Sequence, residues 1–269
     1  MNRQSFVQKY GSWAVVTGAS EGIGQAFAEE LAALGMSLVL VARRGDRLQQ
    51  LAGTIRQKHS VQALVIAADL SVAEGRTEVE ENTSDLDVGL LVAAAGFGTS
   101  GRLLDANLDV ERNMLEVNCF AVLEQSVVFG QRFAKRGRGG IILIASLLGW
   151  QGVSGAAHYA ATKAYVQSLA EGLNRELAPS NVDVLASAPG PVNSGFASRA
   201  DMRMGNADTP ATVAKASLQA LGRKATVIPG PLGKFLSYSL LSLPRFLRVR
   251  ILTSVMGSMT RHQSAYLPL

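Results

Sequence analysis

Cysteine is nearly absent from the 269-residue sequence, in which Cys119 is the only example. A single thiol forms neither an internal disulfide nor a thiolate metal cluster, so the composition permits a reducing compartment. His59 and His262 have no neighbours at the spacing of metal ligands. We therefore expect no metal site.

Long apolar runs are also missing, since none reaches the roughly 20 residues that span a bilayer. The opening residues, MNRQSFVQKYGSW, lack the apolar centre of a secretory signal. From these absences we expect a cytoplasmic protein. The 48% hydrophobic and 17% charged residues suit one large α/β domain or two small ones, and they argue against global disorder.

Acidic residues stop at Asp208. Basic residues continue, at Lys215, Arg223, Lys224, Lys234, Arg245, Arg248, Arg250 and Arg261, so this tail carries about +8 and the rest about −3 of the total +5. Such a tail suits an anionic membrane surface, an acidic partner or a phosphate-bearing substrate, and also a solvated basic face. Because bulk basicity is the only feature typical of nucleic-acid binding, we expect no nucleic-acid partner and keep peripheral membrane contact as a hypothesis.

Short apolar runs alternate with segments of helical period along most of the sequence. The runs show little polar alternation, as strands do when both faces of their sheet are covered. The runs are Trp13–Thr17, Ser37–Ala42, Ala63–Ala67, Leu86–Ala94, Ile141–Ala145, Val182–Ala188 and Ala225–Ile228, and the helical segments are Gly22–Leu34, Arg44–His59, Glu74–Ser84, Asp109–Lys135, Tyr159–Ala178 and Thr209–Leu221. This order predicts an α/β fold, a single Rossmann-type, doubly wound parallel sheet of about seven strands with helices on both faces.

The composition changes near Pro229. We therefore predict a dinucleotide-binding catalytic domain at residues 1–229 and a basic, helical C-terminal extension at residues 230–269. The extension contains a short apolar stretch, Phe235–Leu243, and a weakly amphipathic one, Val249–Met259. Three roles remain open for it, namely packing on the domain, capping a substrate pocket or lying in a membrane interface.

A glycine-rich turn, TGASEGIG, follows the first apolar run at residues 17–24. Its glycines allow a tight turn, a close approach to a pyrophosphate and close packing of the next helix on the sheet. The helix N-terminus then offers unpaired N–H groups and the positive end of its dipole to phosphates. The pattern predicts a dinucleotide site, with a ligand-free βα turn as the alternative.

The end of the second strand bears on the choice of dinucleotide. An NAD site usually has Asp or Glu there for the ribose 2′-hydroxyl, whereas this sequence has Ala42, Arg43 and Arg44. Two guanidiniums are thus available to bind a 2′-phosphate. We predict NADP(H) rather than NAD(H), although Asp46 is close and the arginines also suit the start of a solvent-facing helix.

Tyr159 and Lys163 lie four residues apart, so on a helix they share a face. A nearby ammonium favours the phenolate, and we expect Lys163 to lower the pKa of Tyr159 from its usual value near 10. Ser146 ends a buried strand, where its hydroxyl can bind a substrate oxygen as charge develops. Each feature alone is ordinary, but behind a dinucleotide turn the combination indicates hydride chemistry on a nicotinamide.

With these motifs in this order, the sequence resembles the short-chain dehydrogenase/reductase family over roughly residues 11–220. The matching residues are Thr17, Gly18, Gly22 and Gly24 of TGxxxGxG, Tyr159 and Lys163 of YxxxK, and Ser146 at the family's serine spacing. The stretch TGASEGIGQAFAEELAALGMSLVLVARR is similar to the branch that contains 3-ketoacyl-CoA reductases and 17β-hydroxysteroid dehydrogenases.

The resemblance implies roles for further residues. Asn118 matches the family's tetrad asparagine, which holds a water that links Lys163 to solvent, and Asp69 matches the aspartate that contacts adenine. The cofactor-binding residues that it implies are Gly18, Ser20, Glu21, Gly22, Ile23, Gly24, Arg43, Arg44, Asp69, Leu70, Ala95, Gly96, Tyr159, Lys163, Pro189, Gly190, Val192 and Ser194. Two departures are Ala93-Ala94-Ala95-Gly96 in place of NNAG, which removes amide hydrogen bonds worth roughly 1 kcal/mol each, and Ser194 where threonine is usual.

We therefore predict an NADPH-dependent reductase of a ketone or aldehyde, reversibly an alcohol dehydrogenase, acting on a hydrophobic or lipid-like substrate. The catalytic residues are Asn118, Ser146, Tyr159 and Lys163. The alternative is a non-catalytic NADP(H)-binding sensor or membrane-associated scaffold. The expected pocket walls are Phe97–Leu104, Leu147–Ala157 and Phe196–Asp208, with residues 194–205 as a lid, and the family implies a homodimer or homotetramer.

Overall fold

The structure is a computed structural model that describes residues 3–203 and 205–263. The first two residues of the predicted catalytic domain, residue 204 of the predicted lid and the last six residues of the predicted extension lie outside this description.

A seven-stranded parallel sheet forms the centre of the molecule, in the order β3-β2-β1-β4-β5-β6-β7. The strands are β1 Trp13–Thr17, β2 Ser37–Val41, β3 Ala63–Ile66, β4 Val88–Ala93, β5 Gly139–Ile144, β6 Val182–Ser187 and β7 Thr226–Val227. Each strand coincides with a predicted apolar run to within a few residues, so the predicted fold class is confirmed.

Eleven α-helices surround the sheet in the described part of the chain. They are α1 Arg3–Tyr10, α2 Gly22–Ala33, α3 Gly45–His59, α4 Ala73–Glu81, α5 Leu108–Leu115, α6 Ala121–Arg136, α7 Ala157–Leu177, α8 Phe196–Arg199, α9 Pro210–Ala220, α10 Pro231–Leu241 and α11 Arg245–Met259. The single helix predicted at Asp109–Lys135 is interrupted by a π-helical turn at Glu116–Phe120. Sequence reasoning missed α1, which buries Phe6 and Tyr10.

Two apolar cores lie on opposite faces of the sheet, because alternate strand residues point to opposite sides. Leu38, Leu40 and Val92 face one core, which α2, α3 and α9 cover, whereas Val39 and Leu91 face the other. Helices α4, α6 and α7 contribute to that second core. This arrangement explains why the strand sequences are apolar at nearly every position.

The strand order reverses between β1 and β4, which are neighbours in the sheet. In doubly wound sheets a crevice opens at such a switch point, beyond the carboxyl ends of the strands. The glycine turn after β1, the segment after β4 and Ser146 after β5 all reach this edge. The fold therefore brings the predicted site residues together.

The C-terminal helices α10 and α11 pack over the same edge. Leu252 and Met256 of α11 form a small core with Val153 and Ala156, and the backbone N–H of Arg203 donates to the Met259 carbonyl at 2.9 Å. Through these contacts α11 lies against the loops that follow β5 and β6. Of the helices in residues 3–203 and 205–263, none has the length and apolar character required to cross a membrane.

Candidate active site

Ser146, Tyr159 and Lys163 meet at the carboxyl ends of β4 and β5. Ser146 caps a short 3₁₀ turn, and its Oγ accepts a hydrogen bond from Leu148 N at 3.2 Å. Tyr159 and Lys163 lie one turn apart on α7, where they are only 8% and 6% exposed. The Ser146 hydroxyl is near enough to the Tyr159 phenol to favour a lower pKa of that phenol. The three side chains predicted to cooperate are therefore within reach of one another.

Lys163 is fixed by the end of β5. Its Nζ donates a hydrogen bond to the Ile144 carbonyl at 2.8 Å and lies 5.9 Å from the centroid of the Tyr159 ring. Burial lowers the pKa of Lys163 to about 8, because desolvation disfavours the charged form. The ammonium is thus held in a position where it exchanges a proton near neutral pH.

The phenol of Tyr159 departs from the sequence expectation. Burial raises the pKa of Tyr159 to about 12, and the Ser146 hydroxyl acts in the opposite, smaller sense. The Phe196 ring packs against it with ring centroids 5.2 Å apart, and Lys163 points at the Ile144 carbonyl. The expected lowering of the Tyr159 pKa by Lys163 is therefore not seen, since burial is the main cause of the shift and Ser146 is the group that opposes it.

Asn118 lies behind these residues, fully buried in the π-helical turn. Its Nδ2 donates to the Phe97 carbonyl at 2.8 Å and to Thr162 Oγ1 at 3.1 Å, and its Oδ1 accepts from Phe97 N at 3.1 Å. A Cβ on Gly96 would lie 2.9 Å from Asn118 Oδ1 and 3.5 Å from Lys163 Nζ. Gly96 therefore permits Asn118 and Lys163 to approach the same point.

The glycine turn between β1 and α2 adopts the conformation that its sequence predicts. Gly18 and Gly22 have φ values of 66° and 59°, and a Cβ on Gly18 would lie 2.8 Å from the Ala94 carbonyl oxygen. Only glycine fits such positions without strain. The N-cap residue Glu21 makes no side-chain cap hydrogen bond to α2, and the first residues of α2 line the cavity. This arrangement suits a phosphate site, which needs N–H groups without a cap.

Three guanidiniums converge on Glu21, the residue that precedes α2. Arg44 Nη2 lies 3.0 Å from Glu21 Oε2 and donates to Ser20 Oγ at 2.9 Å, and Arg47 Nη1 lies 3.4 Å from the same carboxylate oxygen. Arg199 of α8 also pairs with Glu21. Sequence reasoning identified Glu21 and Arg44 but missed Arg47 and Arg199.

A single cavity of about 600 Å³ connects these groups. Its wall includes Ser146 and every predicted cofactor residue, namely Gly18, Ser20, Glu21, Gly22, Ile23, Gly24, Arg43, Arg44, Asp69, Leu70, Ala95, Gly96, Tyr159, Lys163, Pro189, Gly190, Val192 and Ser194. Asn118 is absent from this wall because it lies one layer behind, against Phe97 and Thr162.

The sequence analysis anticipated the opposite wall of the cavity only as one of three open roles of the C-terminal extension, that of capping a substrate pocket. Two helices supply it, with Leu236, Ser237 and Leu240 from α10 and Arg248, Leu252, Val255, Met256 and Met259 from α11. Their spacing of three and four residues is the available sequence signal, and it places one arginine and one serine in an otherwise apolar row. All three predicted pocket loops reach the cavity, through residues that include Phe97, Trp150 and Met202.

His158 does not join the site. Its Nε2 lies 3.2 Å from the Glu111 carbonyl and 3.8 Å from the Glu111 carboxylate, on the side of α7 away from Tyr159.

Comparison with known proteins shows the family to which the chain belongs. The short chain dehydrogenase family model matches residues 12–204. A 7β-hydroxysteroid dehydrogenase from Clostridium sardiniense is 35% identical over 86% of this chain and 90% of its own. A very-long-chain 3-oxoacyl-CoA reductase from Danio rerio is 34% identical over 62% of this chain and 55% of its own.

Solved structures give the same result. A 7β-hydroxysteroid dehydrogenase superposes with a TM-score of 0.85 at 28% identity, covering 94% of this chain and 99% of its own. A short-chain dehydrogenase from Sphingobium yanoikuyae in complex with NADPH gives 0.78 at 28% identity, covering 95% and 98%. The predicted likeness to the reductase and hydroxysteroid dehydrogenase branch is confirmed. The chain belongs to the short-chain dehydrogenase family and is an oxidoreductase of that family.

Proposed function

We propose that the protein is an NADPH-dependent reductase of an apolar ketone or aldehyde, and that it oxidises the corresponding alcohol in reverse. The observation that carries this proposal is the meeting of Ser146, Tyr159 and Lys163 on one wall of a cavity whose other end is the glycine turn. Substrate and dinucleotide would thus share a single space.

The residues of the cavity fit NADP(H). The uncapped first turn of α2 suits a pyrophosphate, and Arg43, Arg44 and Ser20, which line the cavity together, would hold a 2′-phosphate. No carboxylate follows β2 directly to bind a free 2′-hydroxyl. Structural relatives bound to NADPH support the same cofactor. A bound NADPH supplies the hydride.

Ser146 and Tyr159 act on the substrate oxygen in this proposal. The Ser146 hydroxyl donates a hydrogen bond to that oxygen, and Tyr159 Oη delivers the proton in reduction or takes it in oxidation. A phenol with a pKa raised to about 12 keeps its proton at neutral pH, which suits the reductive direction.

Lys163 and Asn118 restore the proton and hold the geometry. Lys163 stands one turn from Tyr159 with its pKa near 8, so it is able to return a proton at neutral pH. Asn118 anchors the Phe97 backbone in both directions and keeps the segment after β4 in place beside Gly96. Its part in a proton relay is inferred from the family.

The apolar character of the substrate is inferred from the second wall. Leucine and methionine side chains of α10, α11 and Met202 face the cavity beyond Tyr159. Relatives named as a hydroxysteroid dehydrogenase and a very-long-chain 3-oxoacyl-CoA reductase support a bulky, hydrophobic compound.

The test is the oxidation of NADPH, followed at 340 nm, with a panel of steroid ketones, long-chain ketones and small polar ketones. We expect turnover of the bulky apolar compounds with NADPH, and much weaker turnover with NADH. Tight NADPH binding without turnover of any ketone would favour the alternative of a non-catalytic sensor.

We further propose that the outward faces of α10 and α11 contact an anionic membrane surface. Phe235, Tyr238 and Phe246 are 71%, 65% and 70% exposed, and exposed Lys234, Arg245 and Arg250 lie among them. Aromatic rings beside basic residues suit the headgroup region, and the tail carries no acidic residue to oppose it.

Point substitutions test this better than truncation, because the same helices wall the cavity. Replacing the three aromatics together by serine should reduce sedimentation with phosphatidylserine vesicles about tenfold. Phe120→Ser, at another exposed phenylalanine, is the matched control. Equal sedimentation of all three proteins would discard the membrane hypothesis.

The homodimer or homotetramer implied by the family remains a prediction. Exposed apolar residues on α5, α6 and α7, such as Leu108, Leu115, Val127 and Tyr165, provide a surface on which copies can associate. Light scattering coupled to gel filtration would measure the mass in solution, and a monomer at micromolar concentration would refute the prediction.

A further inference from the structure

Two polar groups interrupt the apolar wall that α10 and α11 form. Ser237 is 4% exposed, and its Oγ has no hydrogen-bond partner within residues 3–203 and 205–263. The buried Nε of Arg248 likewise has no partner there. Both side chains line the cavity. Because buried polar groups in proteins are nearly always paired, these two require an explanation.

The position of Arg248 on its helix makes the exception clearer. Arg248, Leu252, Val255 and Met259 line the cavity at intervals of three or four residues, so Arg248 occupies a place in the inward stripe where an apolar residue is expected. The other arginines of α11, Arg245 and Arg250, are exposed. Arg248 alone among these three turns its positive group toward the cavity.

No carboxylate of the chain compensates this charge in the described part of the wall. The acidic residues that line the cavity are Glu21 and Asp69. Glu21 is paired with arginines, and Asp69 accepts two hydrogen bonds from Ser71. The sequence after Asp208 contains no acidic residue at all. Arg248 is half-buried and its buried Nε has no acceptor in the described residues. Because a buried donor without an acceptor is unfavourable, a negative group from outside the chain fits this place.

We propose that Ser237 and Arg248 form a subsite for the carboxylate of the substrate. This inference rests on the proposed function and names its substrate class, an elongated apolar ketone whose far end carries a carboxylate. The guanidinium and the serine hydroxyl both donate to carboxylate oxygens. The reacting carbonyl binds at Ser146 and Tyr159 on the sheet edge, and the leucine and methionine side chains of α10 and α11 cover the body of the molecule.

The subsite has a consequence for selectivity. An ester or amide of the same ketone presents no charge to Arg248, so the guanidinium gains no charge-assisted hydrogen bond from it. The protein should therefore discriminate between acid and ester through affinity, while the chemistry at Tyr159, on the opposite wall, proceeds at a similar rate once either compound is bound.

The test uses two matched pairs of probes, 12-oxo-octadecanoic acid with its methyl ester, and a keto-steroid that has a side-chain carboxylate with its methyl ester. Binding is measured by calorimetry with the full chain and oxidised cofactor, which cannot reduce a ketone. We expect at least one acid to bind more than tenfold more tightly than its ester. Arg248→Met should abolish that preference by weakening the acid about 30-fold and the ester less than threefold. Ser237→Ala should weaken the acid about fivefold.

Arg250→Met is the matched control, because Arg250 lies on the outer face of the same helix and should leave both affinities unchanged. Arg248→Met should melt at or above the wild-type temperature, since it removes a buried donor that has no acceptor and restores an apolar residue to the inward stripe. An equal loss for acid and ester in Arg248→Met, no preference in the wild type, or no binding of any probe would overturn the subsite. Arg248-dependent binding of an acid without turnover by the NADPH-loaded enzyme would instead refute the proposed reductase and leave the subsite standing.

Discussion

The two walls of the cavity are built on different principles. On the sheet edge, polar side chains are held by the chain itself, as Asn118 is by Phe97 and Lys163 by Ile144. On the wall of α10 and α11, most side chains are apolar, and Ser237 Oγ and Arg248 Nε have no hydrogen-bond partner in the described residues. The polar side chains of the first wall are held by the chain before a substrate binds, whereas we infer that those of the second wall pair with the substrate.

This difference separates catalysis from recognition. Groups that move protons need fixed positions and shifted pKa values, and parallel strands with an adjoining helix provide them. Groups that select a substrate need apolar area and a few unpaired polar atoms. Changes on the first wall should therefore alter rate for every substrate, and changes on the second should alter which substrate is preferred.

The largest expected effect is on the sheet-edge wall. Tyr159→Phe should lower kcat about 1000-fold, because it removes the proton donor, while the NADPH dissociation constant changes only a few-fold. Tyr165→Phe, at an exposed tyrosine of the same helix, should have no effect. Steady-state kinetics measure kcat, and NADPH fluorescence titration measures the dissociation constant. A Tyr159→Phe enzyme with substantial activity would contradict the role of Tyr159 as proton donor.

The cofactor end of the same wall should show the next largest effect. Replacing Arg43 and Arg44 together by alanine should weaken NADPH about 100-fold, since each charge-assisted hydrogen bond contributes about 1.5–3 kcal/mol, and should weaken NADH only a few-fold. Arg47→Ala, which loses only its 3.4 Å contact with Glu21, is the control. Equal losses for both cofactors would contradict the NADP(H) assignment.

The pH dependence of folding stability tests whether Lys163 is desolvated in the folded protein. The folded-state pKa of Lys163 is about 8, below its value near 10.4 in unfolded chains. Below pH 8 both states are protonated and the folded state bears the full desolvation cost. Above pH 8 the folded lysine loses its proton first, so stability rises with pH.

The free energy of unfolding of the wild type, relative to Lys163→Met, should therefore increase by roughly 2 kcal/mol between pH 8 and pH 10. Urea denaturation at several pH values measures it. A constant difference between the two proteins across this range would show that Lys163 is not desolvated as described.

The smallest expected effect is a difference in stability between alanine substitutions at two glycines, Gly96 beside the catalytic residues and Gly257 on α11. Gly96→Ala should destabilise the protein by roughly 1.5 kcal/mol, because the added methyl group overpacks against Asn118. Gly257 of α11 has no atom within 4 Å of an added Cβ, so Gly257→Ala should stabilise by about 0.5–1 kcal/mol through helix propensity alone. Thermal melts of both variants distinguish the tightly packed surroundings of Gly96 from the open surroundings of Gly257.

Much of the sheet-edge wall followed from local sequence patterns. The strands were readable because both of their faces are buried, and Tyr159 and Lys163 were readable because a helix imposes their spacing. The pKa of Tyr159 was not, because desolvation depends on Phe196, which approaches from a loop far along the chain. The π-helical turn at Asn118 was missed for a related reason, since its side chain bonds Phe97 and Thr162 across the fold.

The second wall was harder to predict. Helix α11 has almost no apolar asymmetry in its sequence, since apolar residues lie on its outer face as well as its inner one. The sequence does not distinguish Arg248 from Arg245 and Arg250, and only the tertiary packing shows that Arg248 lines the cavity. A sequence pattern indicates which residues share one face of a helix, but it does not indicate which part of the fold that face contacts.

The contact between Gly190 and Gly233 sets a limit on how this enzyme can change. A Cβ on Gly190 would lie 3.3 Å from Gly233 Cα, and one on Gly233 would lie 3.5 Å from Gly190 N, so the start of α10 is seated directly on the loop after β6. Any redesign of specificity that shifts α10 therefore risks disturbing that loop. New substrate preferences should arise more readily by exchanging side chains along α11, both in natural divergence and in directed evolution.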